Sequence, residues 1–352
     1  MAYQLNPFII LSALLKIKLS TFLKLLAASI FACLTVASVL AFKIASQWQQ
    51  PAAIHQPLFT IESGWSYYKL IEQLEHSNMI QEPFAFKILV WLNPHLRDIK
   101  AGTYRLPEKA TQRELVEALV FAKPAEFKIT FIEGSRWQDW YAKLQDHSFI
   151  QTTLQSSKDE QLKPYYANGR IEGLLFPDTY VFFADTPDIN IVEQAYRRMQ
   201  SVMNQAKQAQ QSRGKHVYPL DDYQTLILAS IIEKETSIVS EMPLVSSVFH
   251  NRLHKKMRLQ TDPTVIYGLG DEYQGDITRA HLKQATPYNT YVIKGLPPTP
   301  IAMPGKAAIE AAFNPQQSEY YYFVADGKGG HSFSRTLREH NAAVKRYLKL
   351  SK

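Results

Sequence analysis

Hydrophobic positions fall into three patterns along this chain, and each predicts a different kind of element. The first is an uninterrupted apolar run, Leu25 to Phe42, whose eighteen residues carry no charge. As a helix it spans about 27 Å, enough for a thin bilayer core. Lys16, Lys18 and Lys24 precede it and Lys43 follows. Basic residues on the amino-terminal flank predict a cytoplasmic N-terminus and a C-terminal part carried across the membrane. A cleaved signal peptide has an apolar region of about 7–15 residues, so the length and late start of this run favour an uncleaved anchor. Pro7 to Leu15 is a second apolar stretch, too short to span, and is expected at the interface.

The second pattern is a mixture of short alternating strands and amphipathic helices. Ile44 to Pro57 is mostly polar or small and reads as a tether. Phe59-Thr60-Ile61 predicts a strand, Ser66 to Leu74 a helix and Pro83 to Leu92 a further helix. Ala101 to Leu106 predicts a return strand, and Thr111 caps a helix over Arg113 to Val120, with Glu114 in its first turn. The β-α-α-β-α order makes a small α+β unit. It resembles the LysM-like module that binds N-acetylglucosamine polymers; a plain spacer is the alternative. Beyond it, Phe127 to Ile132 predicts a strand and Trp137 to Gln145 a helix. Glu172 to Phe182 is an aromatic, Gly- and Pro-punctuated loop in which Asp178 is expected to satisfy backbone donors. Asn190 to Gln211 predicts a long polar helix with Ile191, Ala195 and Met199 on one face.

The third pattern organises the chain. Asp221 and Gln224 have the spacing of a capping box that opens a helix. From Leu226 to Ile232 that helix is apolar or small on every side, the pattern of a helix buried all round. Glu233 and Glu235 stand at its end, about 200° apart around the axis, so they cannot share one site as a catalytic pair. An acid at the end of a buried helix is costly unless it is paired, protonated or facing a cleft. One reading makes each structural, paired with an Arg or Lys or capping a neighbouring loop; the other makes one a general acid whose pKa is raised by apolar walls. This stretch alone leaves both open. A second helix is predicted from Ser240-Glu241 to about Met257, and Asp262-Pro263 predicts an extended or turn conformation. Tyr320 to Ala325 predicts a strand leading into a hairpin-like loop, Asp326 to Phe333.

Composition narrows the chemistry. The single cysteine, Cys33, lies inside the apolar run, which leaves the exported part without a disulfide or thiol chemistry. The net charge of +7, with this topology, suits anionic lipid or an anionic cell-wall polymer rather than nucleic acid. There is no Gly-rich phosphate loop, no metal-ligand spacing and no G-x-S-x-G, so neither a cofactor nor a metal is expected. Tyr, Asn, Thr and Pro are concentrated in successive loops after the buried helix. Aromatic faces, amides and hydroxyls are what a sugar needs, and an elongated glycan cleft is the reading they favour.

Several long motifs, in order, resemble those of the MltG/YceG-like endolytic murein transglycosylases. They are Glu172 to Tyr180, Ala229 to Glu235, Leu259 to Val265, Tyr288-Asn289-Thr290-Tyr291, Gly295-Leu296-Pro297-Pro298, and Ala325-Asp326-Gly327 through His331-Ser332-Phe333. The resemblance runs from about Phe59 to the C-terminus. It implies an α+β protein with a single transmembrane helix (25–43) after a cytoplasmic N-terminus (1–24) and a linker (44–57). A small LysM-like module (58–124) and a larger catalytic domain (125–352) built round a buried catalytic helix would follow. The implied reaction cuts β-1,4 bonds between N-acetylmuramic acid and N-acetylglucosamine within nascent peptidoglycan, leaving 1,6-anhydro ends and thereby terminating strand elongation. Glycan strands, the inner membrane and cell-wall synthases are the implied partners. Glu233 carries over as the acid/base. Glu235 is read as structural, paired with a basic group for which Arg252 and Arg258 are candidates. Thr261, Asp262, Tyr288, Asn289 and Tyr291 are expected in the cleft, with Gly295, Leu296 and Pro297 as a wall and Asp178 as support. Asp262 as a second carboxylate would instead make a hydrolase, and a glycan-binding scaffold is the non-enzymatic alternative.

Overall fold

A computed structural model describes residues 7–211 and 218–350. The chain separates into two compact units, Met1–Ala125 and Glu126–Lys352.

In the first unit, α1 (Pro7–Trp48) is one continuous helix. Its portion Thr21–Trp48 is long and apolar enough to cross a membrane. The tether expected at Ile44 to Pro57 is instead laid down on the unit. Its first turn completes α1, and Ile44, Trp48, Ala52 and Ile54 pack against the core. The Trp48 indole N–H donates to the Ala85 carbonyl at 3.1 Å, and Gln112 N–H donates to the Gln50 carbonyl at 2.8 Å. Four apolar groups in fourteen residues are enough to hold a segment whose polar residues suggested a free linker. Next come β1 (Leu58–Ile61), α2 (Tyr67–His76), α3 (Pro83–Leu92), β2 (Gly102–Arg105) and α4 (Gln112–Phe121). β1 and β2 are antiparallel, with Leu58 opposite Arg105. The Thr111–Glu114 capping box that opens α4 is formed in both directions.

The second unit begins with β3 (Glu126–Thr130), α5 (Trp137–Gln145) and β4 (Ile150–Gln151). β5 (Thr179–Phe183), β6 (Thr186–Pro187) and α6 (Asp188–Gln211) follow. β3 pairs antiparallel with β5, and β4 pairs parallel with β6. α6 joins two cores. Ile191, Val192 and Ala195 pack with Trp140 and Tyr180, whereas Met199, Val202, Met203 and Ala206 pack on the next helix, α7 (Asp222–Glu235). Around α7 lie α8 (Met242–His254), α9 (Asp262–Leu269) and α10 (Lys306–Phe313). The hairpin of β7 (Tyr322–Ala325) and β8 (His331–Ser334), with α11 (Leu337–Leu350), completes the unit. Pro263 does not interrupt the chain as its sequence suggested. It occupies the first turn of α9, where a missing N–H costs nothing.

A buried carboxylate ties the start of α6 to the strand layer. Asp188 is fully buried and accepts from the backbone N–H groups of Thr153, Leu154 and Ile189 and from the Thr153 hydroxyl and Gln145 amide. Asp188→Ala leaves several of these donors without a partner. It is expected to lower stability by about 2 kcal/mol or more, measured by urea unfolding of the chain from Ile44 onward.

Candidate active site

Helix α7 supplies the frame. Asp221 Oδ1 accepts from Gln224 N–H at 2.7 Å, and Gln224 Oε1 accepts from Asp221 N–H at 3.1 Å, so the capping box starts the helix as its spacing predicts. Every residue from Thr225 to Ile232 is buried. The one polar group inside the apolar stretch, the Ser230 hydroxyl, donates to the Ile227 carbonyl and accepts from Ile301 N–H at 3.0 Å. It thereby registers a distant loop against the helix.

The two glutamates that follow face different neighbours. Glu233 points to the opening of α10, where its Oε2 accepts from Gly305 N–H at 2.9 Å. A carboxylate there complements the helix dipole. The Glu133 side chain lies against Gly305 so closely that any Cβ would come within 2.0 Å of its oxygen. Burial and the Glu133 charge raise the Glu233 pKa, while the Gly305 N–H and Lys234 oppose them. Lys234 itself donates to the Gly134 carbonyl at 3.1 Å.

Glu235 lies on the other side of the helix and is half-buried, with its carboxyl enclosed by protein. Its Oε1 accepts a short hydrogen bond from the Thr261 hydroxyl. Thr261 stands at the N-cap of α9, where such a hydroxyl ordinarily accepts from the first turn; here no such bond forms and the hydroxyl serves Glu235 instead. Burial pushes the Glu235 pKa up to about 7, and the Asp262 charge adds to it. The Thr261 hydroxyl and the charges of His331 and Arg252 pull against this rise.

Among the described residues no ion pair reaches Glu235, so neither Arg252 nor Arg258 is the partner expected for it. Arg252 is buried and spends its guanidinium on the carbonyls of Tyr321, Arg258 and Leu259, with Tyr322 beneath it. It clamps the loop before α9 to β7 and leaves its charge near Glu235. His331 is held from the opposite direction. Glu241 accepts its backbone N–H at 3.1 Å and lies 2.6 Å from its Nδ1. The preceding Gly330 is needed for that approach, since a Cβ would stand 2.9 Å from the Glu241 oxygen.

The remaining expected residues divide. Asp262 is exposed, and its Oδ1 accepts from the Tyr291 hydroxyl at 2.6 Å. Burial first, and then this bond to Asp262, raise the Tyr291 phenol pKa. Thr261, Asp262 and Tyr291 therefore gather on the Glu235 side. Asn289 does not join them. At 1% exposure it spends its amide on the carbonyls of His281 and Gln284 and its Oδ1 on Tyr291 N–H, which makes it the clamp of its own loop. Tyr288 bonds Thr299 at 2.8 Å and packs on Tyr267. Gly295, Leu296 and Pro297 line a separate cavity of about 360 Å³ with Tyr223, Gln224 and Ile227. That cavity is at the first turns of α7, roughly 15 Å along the helix from Glu235. Asp178 accepts from Thr179 N–H at 2.8 Å and lies 3.8 Å from Arg198, a surface loop role.

Besides Asp188, one more buried acid escapes the local sequence patterns. Glu172 accepts from Trp137 N–H at 3.0 Å and from the Tyr267 hydroxyl at 3.2 Å, tying α5 to α9. Burial raises its pKa to about 7. Its motif was visible, but nothing in the local pattern says that this loop folds inward.

A model of the YceG-like family matches residues 59–346. A Bacillus subtilis (strain 168) protein named endolytic murein transglycosylase is 31% identical over 308 residues, covering 82% of this chain and 84% of that one. A protein of the same name from Streptococcus pneumoniae serotype 2 is 28% identical, over 76% of this chain and 53% of its own length. The chain thus spans about half of that longer relative. A 2.6 Å crystal structure of a yceG-like protein from Listeria monocytogenes is 28% identical and covers 81% of this chain and 98% of that one, with a TM-score of 0.49.

Glu172 and Glu235 make stability fall with rising pH. Each has a folded pKa of about 7 against an ordinary 4.5, so between these values the folded state holds more protons than the unfolded state. The contribution is fully present below about pH 4.5 and is lost as pH rises through about 7. Glu172→Gln and Glu235→Gln are each expected to flatten this fall, read from urea midpoints across that range; an unchanged slope in both variants contradicts the assignment.

Proposed function

The chain belongs to the YceG-like family, and we propose that it is a membrane-anchored endolytic transglycosylase of peptidoglycan, with Glu235 rather than Glu233 as its acid/base. The substrate is the glycan strand, cut at the β-1,4 bond between N-acetylmuramic acid and N-acetylglucosamine. The observation that carries the choice of glutamate is spatial. The cleft residues expected from the sequence that come together, Thr261, Asp262 and Tyr291, do so beside Glu235. Glu233 is occupied with the start of α10.

The reaction needs one carboxyl used twice. Protonated Glu235 gives its proton to the glycosidic oxygen as the C1–O bond breaks, and the sugar carries the positive charge. The carboxylate then takes the proton of the same sugar's C6 hydroxyl while O6 bonds to C1. The product is a 1,6-anhydro end, no water is consumed and the acid is restored. An intramolecular nucleophile has a high effective concentration, so no second catalytic carboxylate is required; ordinary glycosidases need two. A pKa near 7 suits both halves of the cycle. The Thr261 hydroxyl, His331 and Arg252 stabilise the carboxylate stage. The Asp262 charge and burial favour the acid stage.

The apolar helix Thr21–Trp48 serves as a single-pass anchor in the inner membrane, with the N-terminus cytoplasmic as the flanking lysines favour. The strand–helix–helix–strand–helix unit that follows is the LysM-like module, a second grip on the strand. Anchored in this way, the enzyme cuts strands as synthases extrude them and so ends their elongation.

Digestion of purified glycan strands, with products weighed by mass spectrometry, tests the proposal. The wild-type chain is expected to yield internal cuts with anhydro ends. Glu235→Gln is expected to lose about 100-fold or more in rate, whereas Glu233→Gln keeps most of it. The reverse ranking would return the role to Glu233. Asp262→Asn should still produce anhydro ends; wild-type products heavier by one water would point to a hydrolase using Asp262. The wild-type rate should decline as pH rises above about 7, because the first step needs the protonated acid.

A further inference from the structure

Helix α3 is apolar on both of its faces. Ala85, Phe86, Leu89 and Val90 fill the core of the first unit. On the opposite side Phe84, Trp91 and Leu92 are 65%, 72% and 55% exposed, with Ile88 partly exposed between them. At about 100° per residue, Phe84, Ile88 and Trp91 lie within roughly 60° of one another and form one outward stripe. Lys87 borders it. A ten-residue helix with this much apolar surface in water is unfavourable unless something covers it.

The position of the helix indicates the cover. α3 packs directly against the end of α1, where the Trp48 indole reaches the carbonyl of Ala85 in the first turn of α3 at 3.1 Å. Trp48 is six residues beyond Phe42, the last member of the charge-free run, which is about 9 Å along the helix. The polar layer on each side of a bilayer is about 5–8 Å thick beyond the hydrocarbon. Phe42 is 77% exposed on the surface that would face lipid. The first turn of α3 thus lies within headgroup distance of the end of the run, where tryptophan rings prefer to sit and where Lys43 and Lys87 can meet phosphate.

We propose that the outer face of α3 is a membrane-docking surface, dipping Phe84, Ile88, Trp91 and Leu92 into the interface beside the anchor. The inference rests on the reading of α1 as a spanning helix. Two attachments, one through the bilayer and one along it, hold the first unit flush with the membrane and fix its rotation. A single helix followed by a free tether would not do so.

The test uses the full chain in phosphatidylglycerol-containing nanodiscs, with Cys33→Ser as background and a spin label at Phe84→Cys, Trp91→Cys or Phe42→Cys. All three substituted side chains point outward, and circular dichroism checks that the fold is kept. Labels at 84 and 91 are expected to collide more with oxygen than with an aqueous nickel chelate, the same sign as at 42. Nickel-dominated collisions at 84 and 91, with oxygen dominant at 42, would overturn the docking surface and leave the anchor standing. Nickel dominance at all three would overturn both. Immobilised labels at 84 and 91 shielded from both probes would mean a protein partner covers the face, and would overturn it as well.

Discussion

Helix α7 is enclosed by protein from Thr225 to Ile232, and the second unit is assembled around that enclosure. Packing α6, α8 and α10 against it leaves only the ends of α7 within reach of solvent. A carboxyl at such an end is neither fully wet nor fully dry. Its proton affinity is then set by what the loops place beside it. The same burial that stabilises the unit therefore produces an acid that can hold or release a proton near neutrality.

The groups around Glu235 act on its charge in opposite senses. Burial and Asp262 favour the neutral acid, and the Thr261 hydroxyl, Arg252 and His331 favour the carboxylate. Neither Arg252 nor His331 forms an ion pair with it. Arg252 is committed to three carbonyls and His331 is held by Glu241, so both contribute field without locking the proton away. A direct arginine pair would hold the carboxylate permanently charged and useless as an acid. Glu233, two residues earlier, illustrates the structural alternative, a carboxylate that accepts a backbone N–H at the start of a helix.

The first unit follows a different logic. Its core is complete without α7 or the loops around it, and the end of α1 is part of that core through Ile44 and Trp48. An apolar helix that ends inside a folded unit transmits its orientation to that unit. A flexible linker would lose it within a few residues. The connection is ordinary packing, the Trp48 indole hydrogen bond and the backbone bond from Gln112 to Gln50.

Local patterns in the sequence determined a good deal. The charge-free run, the two capping boxes, the helix buried all round and the half-turn separation of Glu233 and Glu235 all follow from periodicity and from short-range hydrogen bonding. These depend on residues a few positions apart, so they are legible without the fold. Which loop each glutamate meets was decided elsewhere. Glu235 meets Thr261, 26 residues on, and Glu233 meets Gly305, 72 residues on. Helical geometry relates two side chains of one helix to each other, but it says nothing about which distant loop arrives on each side. The loops show the same limit. Tyr291 and Asn289 are two residues apart with similar polarity, yet one reaches Asp262 and the other turns inward to hold its own loop. Gly295 to Pro297 settle near the opposite end of α7. The tether at Ile44 to Pro57 looked free because its few apolar residues find their partners only in a core built from residues 59–120. Contacts closed over tens of residues carry the site, and only the folded chain brings them together.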